Sequence, residues 1–103
     1  MFGQGKASAV VGGGWNSAKA SYSVISGGLY NDVGGNGTYA AIGGGRWNVL
    51  TGRYAVIAGG LWNAGDSNSA SIGGGSWNTV TGVYSTISGG RDNVVKHSYG
   101  TIG

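Results

Sequence analysis

A chain of 103 residues with 25 glycines, no proline and no cysteine has neither a disulfide framework nor a thiolate metal site, and glycine without a Gly-X-Y period excludes collagen. The net charge of +3 comes from six scattered cations (Lys6, Lys19, Arg46, Arg53, Arg91, Lys96) against three aspartates, which is not the dense basic stripe that a nucleic-acid partner requires. No run of about 18 apolar residues is present to span a membrane, so the partners expected exclude both nucleic acid and membrane insertion.

The opening segment, Met1-Phe2-Gly3-Gln4-Gly5-Lys6, lacks the apolar core of a signal peptide. From there a repeat takes over. Val10, Ile25, Ile42, Ile57, Ile72, Ile87 and Ile102 recur at steps of 15, 17, 15, 15, 15 and 15 residues. Six residues after each of the first six stands an asparagine: Asn16, Asn31, Asn48, Asn63, Asn78 and Asn93. A glycine pair separates them every time, as in Gly12-Gly13, Gly59-Gly60 and Gly89-Gly90. This period is too short for a helix-pair repeat and suits one coil of a β-solenoid. A flexible Gly/Ser/Asn linker has no need of isoleucines and aromatics in register, which argues against disorder. The expected fold is therefore all-β, a parallel β-solenoid of about six to seven 15-residue coils in a single domain over residues 1–103.

Within a coil the template runs Tyr, small, Val/Thr/Ala, Ile, small, Gly, Gly, variable, Trp, Asn, variable, Val/Leu, polar, Gly, variable. It predicts two short strands, one near Tyr22 to Ser26 and its equivalents, the other near Trp47 to Thr51 and its equivalents. β-branched and aromatic residues dominate both, and glycine separates them. Strand side chains alternate faces. Ile57 then shares an inward face with Ala55, and Asn48 shares one with Leu50. Stacked coils, about 4.8 Å apart, line up like residues in columns. An inward asparagine column is tolerable because its amides can hydrogen-bond from coil to coil. The glycine pair marks a turn needing positive φ or close approach. One coil is two residues longer than the others, with the extra pair within Gly34-Gly35-Asn36-Gly37-Thr38; it is read as a bulge that leaves later registers unchanged. Asn36-Gly37-Thr38 also spells an N-glycosylation acceptor. The last repeat stops at Ile102-Gly103, partway through a coil, and is read as the edge of a longer fibre or adhesin.

The outward positions carry two aromatic rows. Tyr22, Tyr39, Tyr54, Tyr84 and Tyr99 form one; Trp15, Tyr30, Trp47, Trp62 and Trp77 form the other. Both left bare would make a large apolar patch for a monomer. Burying one row between copies of the chain by closed symmetry is the expected remedy. The other row, and the Trp row in particular, is the candidate ligand surface, since Trp and Tyr stack on sugar faces or anchor a protein partner. Arg46 and Arg91 are read as turn charges that could assist an anionic sugar.

No catalytic, cofactor or metal site is expected. The single histidine, His97, shares its place in the coil with Ala20, Gly35, Gly52, Ser67 and Gly82, a tolerant turn position. Asp32, Asp66 and Asp92 occupy three different places in the template, so no paired-carboxylate site forms. Gly43-Gly44-Gly45 is not followed by Gly-Lys-Ser/Thr and is a turn rather than a phosphate loop.

The runs Tyr22-Ser23-Val24-Ile25-Ser26-Gly27-Gly28 and Tyr84-Ser85-Thr86-Ile87-Ser88-Gly89-Gly90-Arg91-Asp92-Asn93 resemble the head repeats of trimeric autotransporter adhesins, the YadA-like head. Related repeats occur in bacteriophage tail fibres and other bacterial surface proteins. The resemblance covers residues 7 to 103. It implies a left-handed β-roll, a homotrimer with chains side by side, and a place on a bacterial surface or virion fibre. The function so implied is non-enzymatic: a structural and adhesive module presenting a regular surface to a host glycan or protein. The alternative is a carbohydrate-binding module that uses the aromatic rows. An ice-binding solenoid ranks lower, because Thr38, Thr51, Thr79, Thr81, Thr86 and Thr101 occupy mixed positions.

Overall fold

Each side of a coil accommodates a strand of only two residues. The computed structural model describes residues 2–3 and 6–103, and in it the chain winds into a parallel β-solenoid of about six turns, about 15 residues each. Strands alternate between two seven-stranded parallel sheets. One sheet holds Phe2–Gly3, Ser17–Ala18, Asp32–Val33, Val49–Leu50, Ala64–Gly65, Thr79–Val80 and Val94–Val95; the other holds Ala9–Val10, Val24–Ile25, Ala41–Ile42, Val56–Ile57, Ser71–Ile72, Thr86–Ile87 and Thr101–Ile102. The Cα principal extents are 31 × 21 × 12 Å, a flattened rod whose length suits six to seven coils at about 4.8 Å each.

The pairing registers keep like residue against like. Ile42 pairs with Ile25 and Ile57, and Ile72 with Ile57 and Ile87. The two-residue insertion is absorbed where it occurs. Asp32 pairs with Val49 across a step of 17, and Val49 pairs with Ala64 across 15 again. Its turn closes on itself through Gly37 N–H to the Gly34 carbonyl at 2.9 Å and Ala40 N–H to the Gly37 carbonyl at 3.0 Å. Gly37 faces inward there, where a Cβ would stand 2.7 Å from Val33 Cγ1.

The inward faces are those expected. Ile25, Ile42, Ile57, Ile72 and Ile87 are buried, and Val10 and Ile102 are partly buried against them at the two ends. Ala55, Leu50, Val33 and Val80 complete the core. Asn16, Asn31, Asn48, Asn63 and Asn78 are buried as well, and Asn93 is half-buried.

The strand limits differ from expectation. Tyr22 and Trp47 lie outside the strands, which begin at Val24 and Val49. The aromatic positions are left-handed turns instead: Tyr22, Tyr39, Tyr54, Tyr84 and Tyr99 have φ of 55 to 63°, and Trp15, Tyr30, Trp47, Trp62 and Trp77 have φ of 55 to 58°. That conformation costs a residue with a Cβ about 1–2 kcal/mol. β-propensity therefore pointed to the wrong backbone state here, because coil closure requires a bend at that point.

The bend divides every coil into two half-coils of one internal order. A left-handed residue comes first, then a buried one, then an outward strand residue, then an inward apolar one. Trp47-Asn48-Val49-Leu50 and Tyr54-Ala55-Val56-Ile57 are successive examples. From Tyr39 onward the left-handed residues alternate at steps of 8 and 7, which sum to the 15-residue coil. The longer half holds the glycine pair, whose second member also has positive φ, from 77° at Gly13 to 101° at Gly90.

Left-handed residues also reverse the hydrogen-bond direction. Strand amides reach forward to the next coil, as in Val56 N–H to the Ala70 carbonyl at 2.9 Å. Amides at the bends reach back: Trp62 N–H bonds the Arg46 carbonyl at 3.0 Å, and Tyr54 N–H bonds the Thr38 carbonyl at 3.0 Å. Each coil is thus tied to both neighbours. A third parallel ladder, absent from the expected pattern, runs through single-residue bridges at Gly14, Leu29, Arg46, Leu61, Ser76 and Arg91.

Candidate functional site

The two aromatic rows are the most distinctive surface of the rod, and the left-handed bends position them. Each bend sits at a corner, so its side chain projects from an edge of the flattened rod and falls in line with the bend residue one coil away.

Trp15, Tyr30, Trp47, Trp62 and Trp77 form one unbroken stack. Successive ring centroids are 6.2, 4.2, 5.0 and 5.1 Å apart, with interplanar angles of 2 to 8°. This near-parallel arrangement is the offset stacking that aromatic pairs prefer. Its consequence is that neighbouring rungs cover one another's faces, and the solvent meets ring edges. Trp15, at one end of the stack, is 71% exposed. At the other end the next residue in the column is Asp92, which keeps the left-handed backbone (φ 58°) and the back-bond to Ser76 at 3.0 Å. Asp92 Oδ2 lies 3.5 Å from Arg91 Nε.

The tyrosine row is split. Tyr22, Tyr39 and Tyr54 stack at 5.0 and 5.2 Å, and Tyr84 stacks on Tyr99 at 5.6 Å. Ser69 occupies the position between Tyr54 and Tyr84, with φ of 57°. The template shows a tyrosine missing from one coil, but not that the remaining rings close up into stacks on either side of a gap.

Beneath the Trp row runs the asparagine column, which braces the same corner. Asn63 Nδ2 donates to the Gly59 carbonyl and to the Gly75 carbonyl, both at 3.1 Å, and Asn63 Oδ1 accepts the N–H of Asn78 at 3.0 Å. Asn31, Asn48 and Asn78 repeat the scheme. Amide-to-amide bonding, the scheme expected from the column alone, occurs at Asn48 Nδ2 to Asn31 Oδ1, 3.1 Å. At every rung from Asn16 to Asn78, Asn31 included, the side-chain oxygen serves the backbone N–H of the next asparagine. An unmet backbone donor in the core is costly, so the oxygen goes there. The tight fit is visible at Gly60, where a Cβ would stand 2.2 Å from the Gly75 oxygen and 2.6 Å from Asn63 Nδ2.

The titratable residues are dispersed. Asp32 lies in a strand with one oxygen 4.0 Å from Lys19 Nζ. Asp66 accepts a hydrogen bond from Thr51 Oγ1 at 3.3 Å. The His97 side chain is exposed, and its carbonyl accepts the Ser85 hydroxyl at 2.8 Å. An open groove of about 530 Å³ lies beside the insertion turn, lined by Gly35, Asn36, Thr38, Thr51, Arg53, Asp66 and Asn68. It needs the bulge at residues 34–38 to form its wall, and no motif announces it. Arg46, in the bridge column directly before Trp47, and Arg91 are both exposed.

No protein-family model matches this chain, and no curated protein matches it significantly.

Proposed function

We propose that the chain is a non-enzymatic structural and adhesive module of a homotrimeric surface adhesin or phage tail fibre, displayed outside the cell or on the virion, and that it presents a repeating face for host attachment. One observation carries the reading. Outward positions recur at one-coil intervals along the rod, so that columns of like residues, the five-ring stack and the tyrosine ladder among them, form a regular lattice rather than a single pocket. A lattice suits a repeating partner, and many weak contacts on one rod add up through multivalency.

The same observation supports assembly. The five-ring stack, flanked by Leu29 and Leu61 in the adjoining bridge column, is the larger apolar ridge and the better candidate for burial between copies. The tyrosine row adjoins the polar groove with Arg53 and Asp66 and suits solvent. Light scattering on the purified chain should give three times the monomer mass, and Trp47→Ala with Trp62→Ala should reduce that mass. A strictly monomeric wild type would remove the trimer.

Carbohydrate binding by the Trp row is the second reading. Trp15 is 71% exposed, the most of the five, and gives a sugar the largest ring surface of the row on which to stack. Glycan-array binding that is lost in Trp15→Ala while the light-scattering mass is unchanged would favour it over pure scaffolding. Absence of glycan and host-surface binding in a correctly assembled protein would leave only a structural role.

A further inference from the structure

The tyrosine ladder lacks one rung, and we propose that this gap is a binding slot for one planar aryl ring, held between the faces of Tyr54 and Tyr84 with Ser69 as its floor. Ser69 keeps the ladder's backbone. Its φ of 57° matches 58° at Tyr54 and 55° at Tyr84, and its N–H makes the same backward bond, to the Arg53 carbonyl at 2.7 Å. The coil spacing therefore runs through the gap unchanged, and Tyr54 and Tyr84 stand two coil steps apart, about 10 Å. The intact part of the ladder shows what one such interval holds. Tyr39 fills it between Tyr22 and Tyr54, with centroid distances of 5.0 and 5.2 Å and interplanar angles of 5 to 6°.

The two tyrosines bordering the gap are backed on their far sides by Tyr39 and Tyr99, so each has one ring face turned toward the space over Ser69. They are 58% and 61% exposed. An entering ring gains two stacking partners already held in place, so little ordering opposes its binding. The height of the gap sets the class of ligand. A flat arene repeats the geometry of the missing rung, whereas a puckered pyranose is thicker and carries hydroxyls at its rim. The neighbouring groove adds a polar flank, because Arg53 and Asn68, which line it, directly precede Tyr54 and Ser69. The same groove also holds Asp66, so its flank offers hydrogen bonds of both kinds, and the slot takes an aryl ring with a polar substituent. Either a free small arene or the aromatic side chain of a protein partner can supply that ring, and neither depends on the chain being an adhesin or a trimer.

The test is a titration of isotope-labelled chain with 4-hydroxyphenylacetate and, separately, with the tripeptide Gly-Trp-Gly, followed by NMR. Saturable shifts are expected at the Tyr54 and Tyr84 rings and the Ser69 amide, with a dissociation constant on the order of 1 mM for the tighter probe. Tighter binding of the small acid points to a free arene as the ligand, and tighter binding of the tripeptide points to a partner's side chain; both support the slot. Ser69→Tyr, which restores the rung, should weaken binding at least about tenfold. Tyr84→Ala, which removes one wall without filling the gap, should also weaken it. The slot is overturned if neither probe gives saturable shifts at these residues in the wild-type chain. It is equally overturned if Ser69→Tyr keeps wild-type affinity, which would place binding at the open ladder ends.

Discussion

Leu50 fills the space that Gly65 leaves one coil away. The two residues pair in register in the same sheet, and a Cβ on Gly65 would stand 2.7 Å from Leu50 Cδ2. Their column otherwise holds Gly3, Ala18, Val33, Val80 and Val95, and against its valines a large and an absent side chain together occupy the volume of two medium ones. Gly65→Val alone should overpack the column and lose about 1–3 kcal/mol of stability. Gly65→Val with Leu50→Val should recover most of that loss. Denaturant melts of the two single variants and the double variant form the cycle that checks it; additive losses would show that the two side chains do not share the space.

The asparagine column should be the most sensitive polar feature. Asn63→Ala removes the acceptor for the buried Asn78 N–H and the donor to the Gly59 and Gly75 carbonyls, for an expected loss of about 2–4 kcal/mol. Asn63→Asp should be worse at neutral pH, because it sets a charged oxygen against the carbonyls that Nδ2 now serves. Its carboxyl would have a folded-state pKa raised above the unfolded value of about 3.9. The variant should therefore be least destabilised below about pH 4 and lose stability as pH rises through the interval between the two values. Thermal melts from pH 3 to pH 7 would reveal the slope, and a flat profile would contradict the geometry.

The two members of a glycine pair should respond differently. A Cβ on Gly59 meets nothing within 4 Å, whereas one on Gly60, at φ 99°, meets the Gly75 oxygen at 2.2 Å. Gly59→Ala should change stability by less than about 1 kcal/mol, and Gly60→Ala should cost at least about 2 kcal/mol through strain and overlap. Similar melting points for both variants would mean that the turn is not as tight as described.

Ile57 stands at the middle of its column, fully buried between Ile42 and Ile72. Ile57→Ala should cost about 2–5 kcal/mol. Ile57→Asp should abolish the cooperative fold by burying an unpaired charge. Circular dichroism and a melting scan distinguish these outcomes; an Asp variant that melts like wild type would place residue 57 on the surface.

Much of this protein was readable from residue spacing alone. The column of isoleucines and the column of asparagines announce the coil, and alternation within Val56-Ile57 or Val49-Leu50 separates inside from outside. Burial is a one-residue property with a strict repeat, so the order of amino acids reports it directly. A turn needing positive φ or close approach at each glycine pair was legible too, because glycine is the local sign of both; the structure assigns the positive φ to the second member.

Tertiary structure decided the rest. Nothing local marks Trp62 or Tyr54 as left-handed, since both favour strands by propensity. Their bend is imposed by closure of the coil and held by bonds to Arg46 and Thr38, 16 residues back. The bend in turn aims the rings along the rod edges, so that they stack face toward face and Ser69 leaves a gap rather than a loose row. Spacing determined which residues share a column; only contact between coils determined the hand of each corner and which ring surfaces remain open to a ligand.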